Sequence, residues 1–292
     1  MEISKAFVLG SGIMGQGIAQ VCAQAGIRVA LCDLERNILD KALAGILTSV
    51  SKLAAKGIIT DSPDVVISRI VTSTDYHSAG DSGLVIEAVY ENVEIKKKVF
   101  KQLEKIVGPD TIFASNTSAL PIGQIASVTD RPDRFLGLHF FNPVPLMDVV
   151  EVIKGVSTSE ATFQFGASFV KRIGKQPLLV NRDIAGFILN RINMLSNMEA
   201  YRLVEQGVAS PEDIDKGMKL AFGRKMGPME TSDMVGLDVQ LMAYTNVYEE
   251  EKDPRFYPPS ILRRKVEAGH LGRKSGRGWY EYNVDGTRKV NT

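Results

Sequence analysis

A glycine turn between a strand and a helix near the start of the chain constrains its fold more than any other feature. Residues 5–10, KAFVLG, form a short apolar run, and SGIMGQGIAQVCAQAG after them repeats its apolar residues at helical spacing. The junction reads G-x-G-x-x-G, in which the first glycine permits the turn, the second lets a pyrophosphate approach the backbone, and the third lets the helix pack on the strand. This context predicts a dinucleotide-binding turn formed by Gly10, Gly12, Ile13, Met14 and Gly15.

The acid that closes the predicted second strand indicates which dinucleotide this turn prefers. Asp33 ends the run RVALCD and lies about twenty residues beyond the glycines, where an acid accepts hydrogen bonds from the adenosine ribose and repels a 2′-phosphate. A glycine turn beside a capping aspartate would be a purely structural explanation, but it does not account for this spacing. We therefore predict that the chain binds NAD rather than NADP.

The apolar runs that follow predict an α/β fold with a Rossmann-like, mostly parallel sheet. Residues 83–89, GLVIEAV, are almost continuously apolar, as parallel strands covered on both faces are. Glu87 and Glu91 fall where strands of such a sheet end, which is the edge at which ligands bind. Further strands are predicted at residues 69–74, 111–115, 134–142, 149–155 and 176–181.

A histidine and an acid in the stretch GLHFFNPVPLMDVVE form a candidate acid/base pair. His139 is one of only three histidines, and an imidazole titrates near neutral pH. Glu151 lies in the apolar run VVEVI, where a carboxylate without a partner would be costly to bury. Pro143 and Pro145 predict a turn that brings the two ends of the stretch side by side. On this stretch alone, a satisfied core or surface histidine remains an alternative.

The composition changes after about Arg182 and predicts a second, helical domain. Residues 184–207 have apolar positions every three or four residues and are predicted to form one long helix, and SPEDID at 210–215 carries the capping residues that open another. We predict an NAD-binding Rossmann-type domain at residues 1–183 and an all-helical domain for substrate binding and dimerisation at 184–292. Because long amphipathic helices often leave an apolar face that pairs with a second copy, we expect a homodimer.

Charge and residue counts exclude several other classes of protein. A formal net charge of +1 argues against a general nucleic-acid binder. The two cysteines, Cys22 and Cys32, form no disulfide framework, which fits a reducing cytoplasm. Three scattered histidines argue against a dedicated metal site, and no stretch is long and apolar enough to span a bilayer. We therefore expect a cytoplasmic protein with a small-molecule substrate and without a metal, a membrane or a nucleic acid as partner.

Seven motifs in order resemble the L-3-hydroxyacyl-CoA dehydrogenase family, which includes the bacterial 3-hydroxybutyryl-CoA dehydrogenases. They extend over nearly the whole chain: GSGIMGQGIAQ, VIEAVYEN, SNTSAL, GLHFFNPVPLMDVVEVI, GFILNRI, MGPMETSDMVGLD and GRKSGRGWY. The resemblance implies hydride transfer between the third carbon of a 3-hydroxyacyl-CoA thioester and the nicotinamide of NAD. It implies that His139 is the catalytic base and that Glu151 orients it. It also implies that Ser118 and Asn190 contact the reacting oxygen.

The same resemblance implies which other residues bind the two ligands. The positions that match contacts to NAD are Glu91, Lys96, Ser118, Asn142 and Lys274. The positions that match contacts to the acyl-CoA are Ser49, Lys56, Ser118 and Asn190. From the residues alone, Lys56 is better explained as part of a solvated helix face.

Two other functions stay open at this point. A dehydrogenase of a free sugar acid such as gulonate resembles this family and shares the His–Glu pair, and a non-catalytic NAD-binding protein such as a lens crystallin can have the same fold. The chain departs from the family at Ala185, where a proline is usual, and at Met229, where phenylalanine or leucine is usual. The length of the acyl chain, the presence of a second carboxylate on it and the physiological direction are not predicted.

Overall fold

The computed structural model describes residues 3–289 and divides the chain into two compact units. The first unit extends to Phe187 and the second begins at Ile188. The sequence-based boundary between residues 183 and 184 stays a prediction. The architecture confirms the predicted fold class, a mostly parallel sheet with helices in the first unit and a helical second unit.

The first unit is organised around an eight-stranded sheet in the order β3-β2-β1-β4-β5-β6-β7-β8. All neighbouring strands are parallel except β6 and β7, which are antiparallel. The strands are β1 (Lys5–Leu9), β2 (Arg28–Cys32), β3 (Ile70–Ser73), β4 (Leu84–Glu87), β5 (Ile112–Ser115), β6 (Phe135–Phe140), β7 (Val149–Ile153) and β8 (Gln176–Val180). The strand order reverses between β1 and β4, and ligands of doubly wound sheets bind in the crevice at such a switch point.

Helices cover the sheet and bury most of its apolar side chains. They are α1 (Ile13–Gln24), α2 (Arg36–Ala55), α3 (Pro63–Ser68), α4 (Val93–Leu103), α5 (Ile122–Ala126) and α6 (Glu160–Arg172). The side chains of β1 are buried from Ala6 to Leu9, as expected for a strand with helices on both faces. The described residues contain no helix that is long and apolar enough to cross a membrane.

The second unit consists of helices, the first of which begins later than the sequence pattern predicts. They are α7 (Leu189–Glu205), α8 (Pro211–Phe222), α9 (Pro228–Val235), α10 (Leu237–Glu251) and α11 (Ser260–Glu267). The prediction of one helix over residues 184–207 is wrong at its start. Gly186 and Phe187 have positive φ angles of 74° and 47°, which a right-handed helix cannot accommodate. The apolar spacing continues through this segment because its side chains are buried.

Two buried aspartates fasten the last part of the second unit to its helices. Asp233 accepts hydrogen bonds from the backbone N–H groups of Trp279 and Tyr280, at 2.8 and 2.9 Å. Asp215 accepts a hydrogen bond from the Tyr280 hydroxyl at 2.7 Å. Burial raises the pKa of both aspartates above its ordinary value. The segment between Gly272 and Arg288 adds isolated antiparallel bridges, so the unit is helical with a small extended region.

Candidate active site

The glycine turn between β1 and α1 has the shape that a dinucleotide requires. Gly10 has a φ angle of +93°, and a Cβ atom there would lie 2.5 Å from the carbonyl oxygen of Ala88. A Cβ atom on Gly15 would overlap with the carbonyl oxygen of Gly10, so helix and strand approach each other too closely for any side chain. Gly12, in contrast, faces open space. A pyrophosphate can therefore reach the backbone at Gly12, while the other two glycines hold the turn closed.

The start of α1 lies at the carboxyl edge of the sheet and offers backbone N–H groups to an anion. The helix begins at Ile13 with Gly12 as its N-cap, and its first turn includes Ile13 and Met14. Within residues 3–289, no side chain caps this helix, and its first turn contains no acid. A helix N-terminus of this kind favours a phosphate group. The turn, the helix and the strand-order switch together fit NAD.

Asp33 lies beside this turn, directly after β2. Its Oδ2 atom accepts hydrogen bonds from the N–H and the hydroxyl of Ser11, at 2.6 and 2.7 Å, and its Oδ1 atom accepts one from the N–H of Leu34. These bonds orient the carboxylate next to the glycine turn. Cys32 precedes Asp33 at the end of β2, and burial, followed by the charges of Asp33 and Asp75, raises the pKa of the Cys32 thiol to about 12.

His139 and Glu151 lie opposite each other on the antiparallel strands β6 and β7. The imidazole Nδ1 of His139 is 2.7 Å from the Glu151 Oε2. His139 is 4% exposed and Glu151 is 0% exposed. Because a carboxylate accepts hydrogen bonds, Nδ1 carries the hydrogen and Nε2 carries the lone pair. A buried acid and a buried imidazole thus satisfy each other, and the arrangement can take up a proton at Nε2.

Two aromatic rings pack against the imidazole of His139. The ring of Phe141 lies 4.5 Å from it and that of Phe187 lies 5.6 Å from it, measured between centroids. Phe187 is buried and has a φ angle of 47°, a conformation that is unfavourable for a phenylalanine. Sequence reasoning missed Phe187 because a left-handed backbone angle has no side-chain signature outside glycine and asparagine. Asp183, which precedes Phe187 in the same segment, accepts a hydrogen bond from the N–H of Gly123 at 3.1 Å.

The loop after β5 carries Ser118 to the same edge of the sheet. Asn116 in this loop accepts a hydrogen bond from the N–H of Phe140 at 2.9 Å through its Oδ1 atom, which links the loop to β6. Ser118 is exposed, and its N–H donates to the Glu91 Oε1 at 2.8 Å. The Thr117 hydroxyl donates to the same oxygen at 2.5 Å. Glu91 therefore holds the loop in place through hydrogen bonds from Thr117 and Ser118.

Lys96 and Glu91, both expected to contact the cofactor, form ion pairs within the first unit. The Lys96 Nζ lies 3.2 Å from the Glu91 Oε2 and 2.6 Å from the Oε1 atom of a third residue, Glu87. Lys96 and Glu87 are both 0% exposed. Glu87 ends β4 and also accepts hydrogen bonds from the Ser115 hydroxyl and the Val89 N–H, each at 2.7 Å.

Sequence reasoning placed Glu87 at the ligand-binding edge but did not assign it a partner. A signal was present, since Glu87 lies in the apolar run GLVIEAV just as Glu151 lies in VVEVI. The same rule, that a buried carboxylate needs a counter-charge or hydrogen bonds, applies to both. The rule does not identify the partner, because Lys96 is one of several lysines on α4 and only the packing of that helix brings it to Glu87.

The remaining predicted residues lie on three other segments. Ser49 is half-buried and Lys56 is exposed, near the end of α2 and just beyond it. Asn142 is exposed and follows β6. In the second unit, Asn190 is half-buried in the first turn of α7, and the Lys274 Nζ pairs with the Asp238 carboxylate at 2.6 Å. That hydrogen bond from Lys274 lowers the pKa of Asp238.

The two departures from the family pattern are both buried. Ala185 is 3% exposed and Met229 is 0% exposed. The Met229 N–H donates to Asp215 at 2.9 Å. Among residues 3–289, no group of three or more histidine, cysteine, aspartate or glutamate side chains could hold a metal ion.

Comparison with known protein families agrees with the fold and the cofactor turn. Residues 5–184 match the family model described as 3-hydroxyacyl-CoA dehydrogenase, NAD binding domain. Residues 186–282 match the model described as 3-hydroxyacyl-CoA dehydrogenase, C-terminal domain. The protein is an NAD-dependent oxidoreductase. Within that class, the chain belongs to the 3-hydroxyacyl-CoA dehydrogenase family, which confirms the resemblance seen in its motifs.

Individual relatives are similar along nearly their whole length. A probable 3-hydroxybutyryl-CoA dehydrogenase of Deinococcus radiodurans is 46% identical over 275 residues, which cover 94% of this chain and 99% of the relative. The human mitochondrial hydroxyacyl-coenzyme A dehydrogenase is 45% identical over 283 residues, covering 94% and 90% of the two chains. The crystal structure of (S)-3-hydroxybutyryl-CoA dehydrogenase from Ralstonia eutropha superposes with a TM-score of 0.93 at 41% identity, covering 97% of this chain and 100% of that one.

Proposed function

We propose that this protein catalyses the NAD-dependent oxidation of an (S)-3-hydroxyacyl-CoA, such as 3-hydroxybutyryl-CoA, to the 3-oxoacyl-CoA, or the reverse reduction. The observation that carries the proposal is the hydrogen bond of 2.7 Å between His139 and Glu151, buried at the edge of the sheet where the glycine turn lies. The names of the relatives support this choice of substrate.

His139 is the proposed catalytic base. Oxidation of a secondary alcohol removes a hydride from carbon and a proton from oxygen, and NAD supplies the nicotinamide that accepts the hydride. The lone pair on the His139 Nε2 takes the hydroxyl proton as the carbonyl forms. In the reverse reaction the imidazolium returns that proton to the alkoxide oxygen. An imidazole suits both directions because its pKa lies near neutral pH.

Glu151 is the proposed partner that prepares His139 for this transfer. Its carboxylate holds the hydrogen on Nδ1, so that the lone pair stays on Nε2. When Nε2 takes a proton, the imidazolium gains a positive charge next to a buried negative one. This neighbouring charge stabilises the protonated state in a site where water is largely excluded.

Ser118 and Asn190 are the proposed donors to the reacting oxygen. A serine hydroxyl and an asparagine amide each donate a hydrogen bond, and such bonds strengthen as negative charge develops on the oxygen. For Ser118 the supporting observation is that its loop is fastened at both ends, through Asn116 to β6 and through Glu91 to α4. For Asn190 the support is the match of GFILNR to the family motif.

The proposed cofactor contacts follow the edge of the sheet and one loop of the second unit. Gly10, Gly12 and Gly15, with Ile13 and Met14, would hold the pyrophosphate, and Asp33 the adenosine ribose. Glu91, Lys96, Ser118, Asn142 and Lys274 are proposed as further contacts. Ser49 and Lys56 are proposed contacts to coenzyme A, for which an exposed lysine near the end of α2 has the complementary charge.

We further propose that the protein is a cytoplasmic homodimer that acts in fatty acid metabolism, at the β-oxidation step that 3-hydroxyacyl thioesters undergo. The support for a dimer is the second unit, where Leu220 and Phe222 near the end of α8 are 78% and 74% exposed. A partner subunit that covered either side chain would remove apolar surface from water.

The substrate is tested by turnover with two alcohols of different class. We expect NADH formation from NAD and (S)-3-hydroxybutyryl-CoA, and none above background from gulonate, because a free sugar acid lacks the coenzyme A that Lys56 and Ser49 would bind. A series of 3-hydroxyacyl-CoA chain lengths then defines the acyl preference. Turnover of gulonate alone would replace the proposal with a sugar-acid dehydrogenase. NADH binding without any turnover would indicate a non-catalytic protein.

Cofactor preference is tested by an Asp33→Ala variant. We expect NADH binding to weaken by about 10- to 100-fold, since hydrogen bonds to a charged group contribute about 1.5–3 kcal/mol each. Discrimination against NADP should relax, because the carboxylate that repels a 2′-phosphate is gone. Titration of both reduced cofactors by fluorescence measures the two effects. Asp40→Ala, which removes an exposed carboxylate paired with Arg36, is the control and should change neither constant. Equal use of both cofactors by the unaltered protein would contradict the assignment.

A further inference from the structure

A buried ion pair lies beneath the loop that carries Ser118. Glu87 and Lys96 come from β4 and α4, are both 0% exposed, and meet at 2.6 Å. The Glu87 carboxylate also accepts hydrogen bonds from the Ser115 hydroxyl and the Val89 N–H, both within the first unit. A buried pair of this kind is weak evidence for stability, because its desolvation cost is comparable to its attraction. Its presence therefore suggests a role in placing something else.

The pair continues to the loop through Glu91. The Glu91 Oε2 lies 3.2 Å from Lys96, while its Oε1 accepts hydrogen bonds from the Thr117 hydroxyl at 2.5 Å and the Ser118 N–H at 2.8 Å. The side chain of Glu91 is 39% exposed, so the protein interior alone does not immobilise it. Among the described residues, the cation that pairs with Glu91 is Lys96. A continuous chain of contacts thus leads from a buried strand end to the backbone of Ser118.

Lys96 lies nearer to one of its two carboxylate partners than to the other, and this difference sets the position of Glu91. Two carboxylates share one ammonium group, and Glu87 is the nearer of the two. Lys96 is therefore held mainly by Glu87 and attracts Glu91 more weakly, at 3.2 Å. Glu91 is therefore close enough to Lys96 to be oriented by it, while its other carboxylate oxygen still reaches the loop. Without the charge on Glu87, the ammonium group would draw Glu91 inward and away from Thr117 and Ser118.

We propose that Glu87 is a positioning residue, which fixes Lys96 and, through Lys96 and Glu91, the backbone of the loop at Ser118. The inference rests on the proposed function in one respect only, that Ser118 and Lys96 serve the reaction. The side-chain partners of Glu87 are Lys96, the Ser115 hydroxyl and the Val89 N–H, so its proposed part in the reaction is indirect.

The test uses Glu87→Gln, which keeps the shape of the side chain and one acceptor oxygen, replaces the other oxygen with a donating NH2 group, and removes the charge. Backbone amide hydrogen exchange of residues 117–120, measured without any ligand, should become about tenfold faster, because the N–H groups from Ser118 to Leu120 lose their oriented acceptors. The kcat for the 3-hydroxyacyl thioester should fall by about 10- to 100-fold, with a much smaller change in its KM, as expected for a misplaced reacting group.

Glu104→Gln is the matched control. Glu104 also pairs with a cation, Arg131 at 3.0 Å, but this pair contacts Gly108 and Thr111, before β5, at the opposite edge of the sheet. We expect a lower Tm for this variant, with unchanged exchange at residues 117–120 and unchanged kcat. If Glu104→Gln accelerates that exchange as much as Glu87→Gln does, the effect is general destabilisation and the inference is wrong.

A double variant, Glu87→Gln with Lys96→Met, keeps the test decisive if Glu87→Gln does not fold. Removing both charges leaves no unpaired buried ion, so the Tm should recover toward the wild-type value. Exchange at residues 117–120 should stay fast, because Glu91 has lost its anchor. Wild-type exchange in the double variant, or in a folded Glu87→Gln, would overturn the positioning role. Because exchange needs no substrate, a wild-type protein inactive on acyl-CoA would refute the proposed function without affecting this result.

Discussion

Replacing His139 by glutamine is expected to lower kcat by about 10²- to 10⁴-fold, which is the contribution of a positioned general base. Glutamine has a similar reach and can still donate to Glu151, so the strand pair β6–β7 should remain intact. It has no lone pair that can hold a proton at neutral pH. NADH binding should stay close to that of the wild-type protein, because the imidazole is not among the proposed cofactor contacts.

A second histidine provides the control for this variant. His77 pairs with Asp75 on the surface, and its side chain is 79% exposed. His77→Gln should leave kcat, KM and NADH binding unchanged. Steady-state kinetics with 3-hydroxybutyryl-CoA and fluorescence titration with NADH measure all three quantities. If His139→Gln retains full activity, the base lies elsewhere and the role proposed for Glu151 is lost with it.

Replacing Gly15 by alanine is expected to abolish useful NADH binding. The added Cβ atom would overlap with the carbonyl oxygen of Gly10, a backbone atom that can move only if the turn itself opens. Overpacking a close contact typically costs about 1–3 kcal/mol, and a clash with backbone lies at the upper end of that range. A distortion of about 3 kcal/mol weakens binding by about 100-fold. The Tm should fall as well, because the turn joins β1 to α1.

Two other glycines separate the effect on binding from the effect on stability. A Cβ atom on Gly12 would face open space, so Gly12→Ala should leave the Tm unchanged and still weaken NADH binding by narrowing the approach to the backbone. Gly108→Ala also meets open space, but it lies before β5, away from the turn, and should change neither quantity. Normal NADH binding by Gly15→Ala would show that the cofactor does not use this turn.

The sheet and its cofactor turn could be predicted because their signals are local. Each strand is a short apolar run bounded by polar or glycine residues, and Gly10, Gly12 and Gly15 lie next to one another in the chain. The proximity of His139 and Glu151 was also predictable, since one loop, residues 141–148, joins the two strands that carry them. Their role in acid/base chemistry stays a prediction.

The start of α7 could not be predicted from the same kind of signal. Apolar spacing is continuous from Ile184, but the helix begins at Leu189 because Gly186 and Phe187 adopt positive φ angles. Phenylalanine does not favour that conformation by itself. It is maintained by burial of its ring against His139, a contact between residues far apart in the chain.

The amino-acid sequence by itself determined the strands of the sheet, the glycine turn, and the presence of an acid beside a histidine. These features depend on neighbouring residues or on one short turn, so pattern and steric rules suffice for them. Only the tertiary structure decided that Lys96 is the partner of Glu87 and that Glu91 supports the loop of Ser118. Those contacts join separate strands, helices and loops, and several lysines along α4 were equally plausible until the packing of that helix selected one.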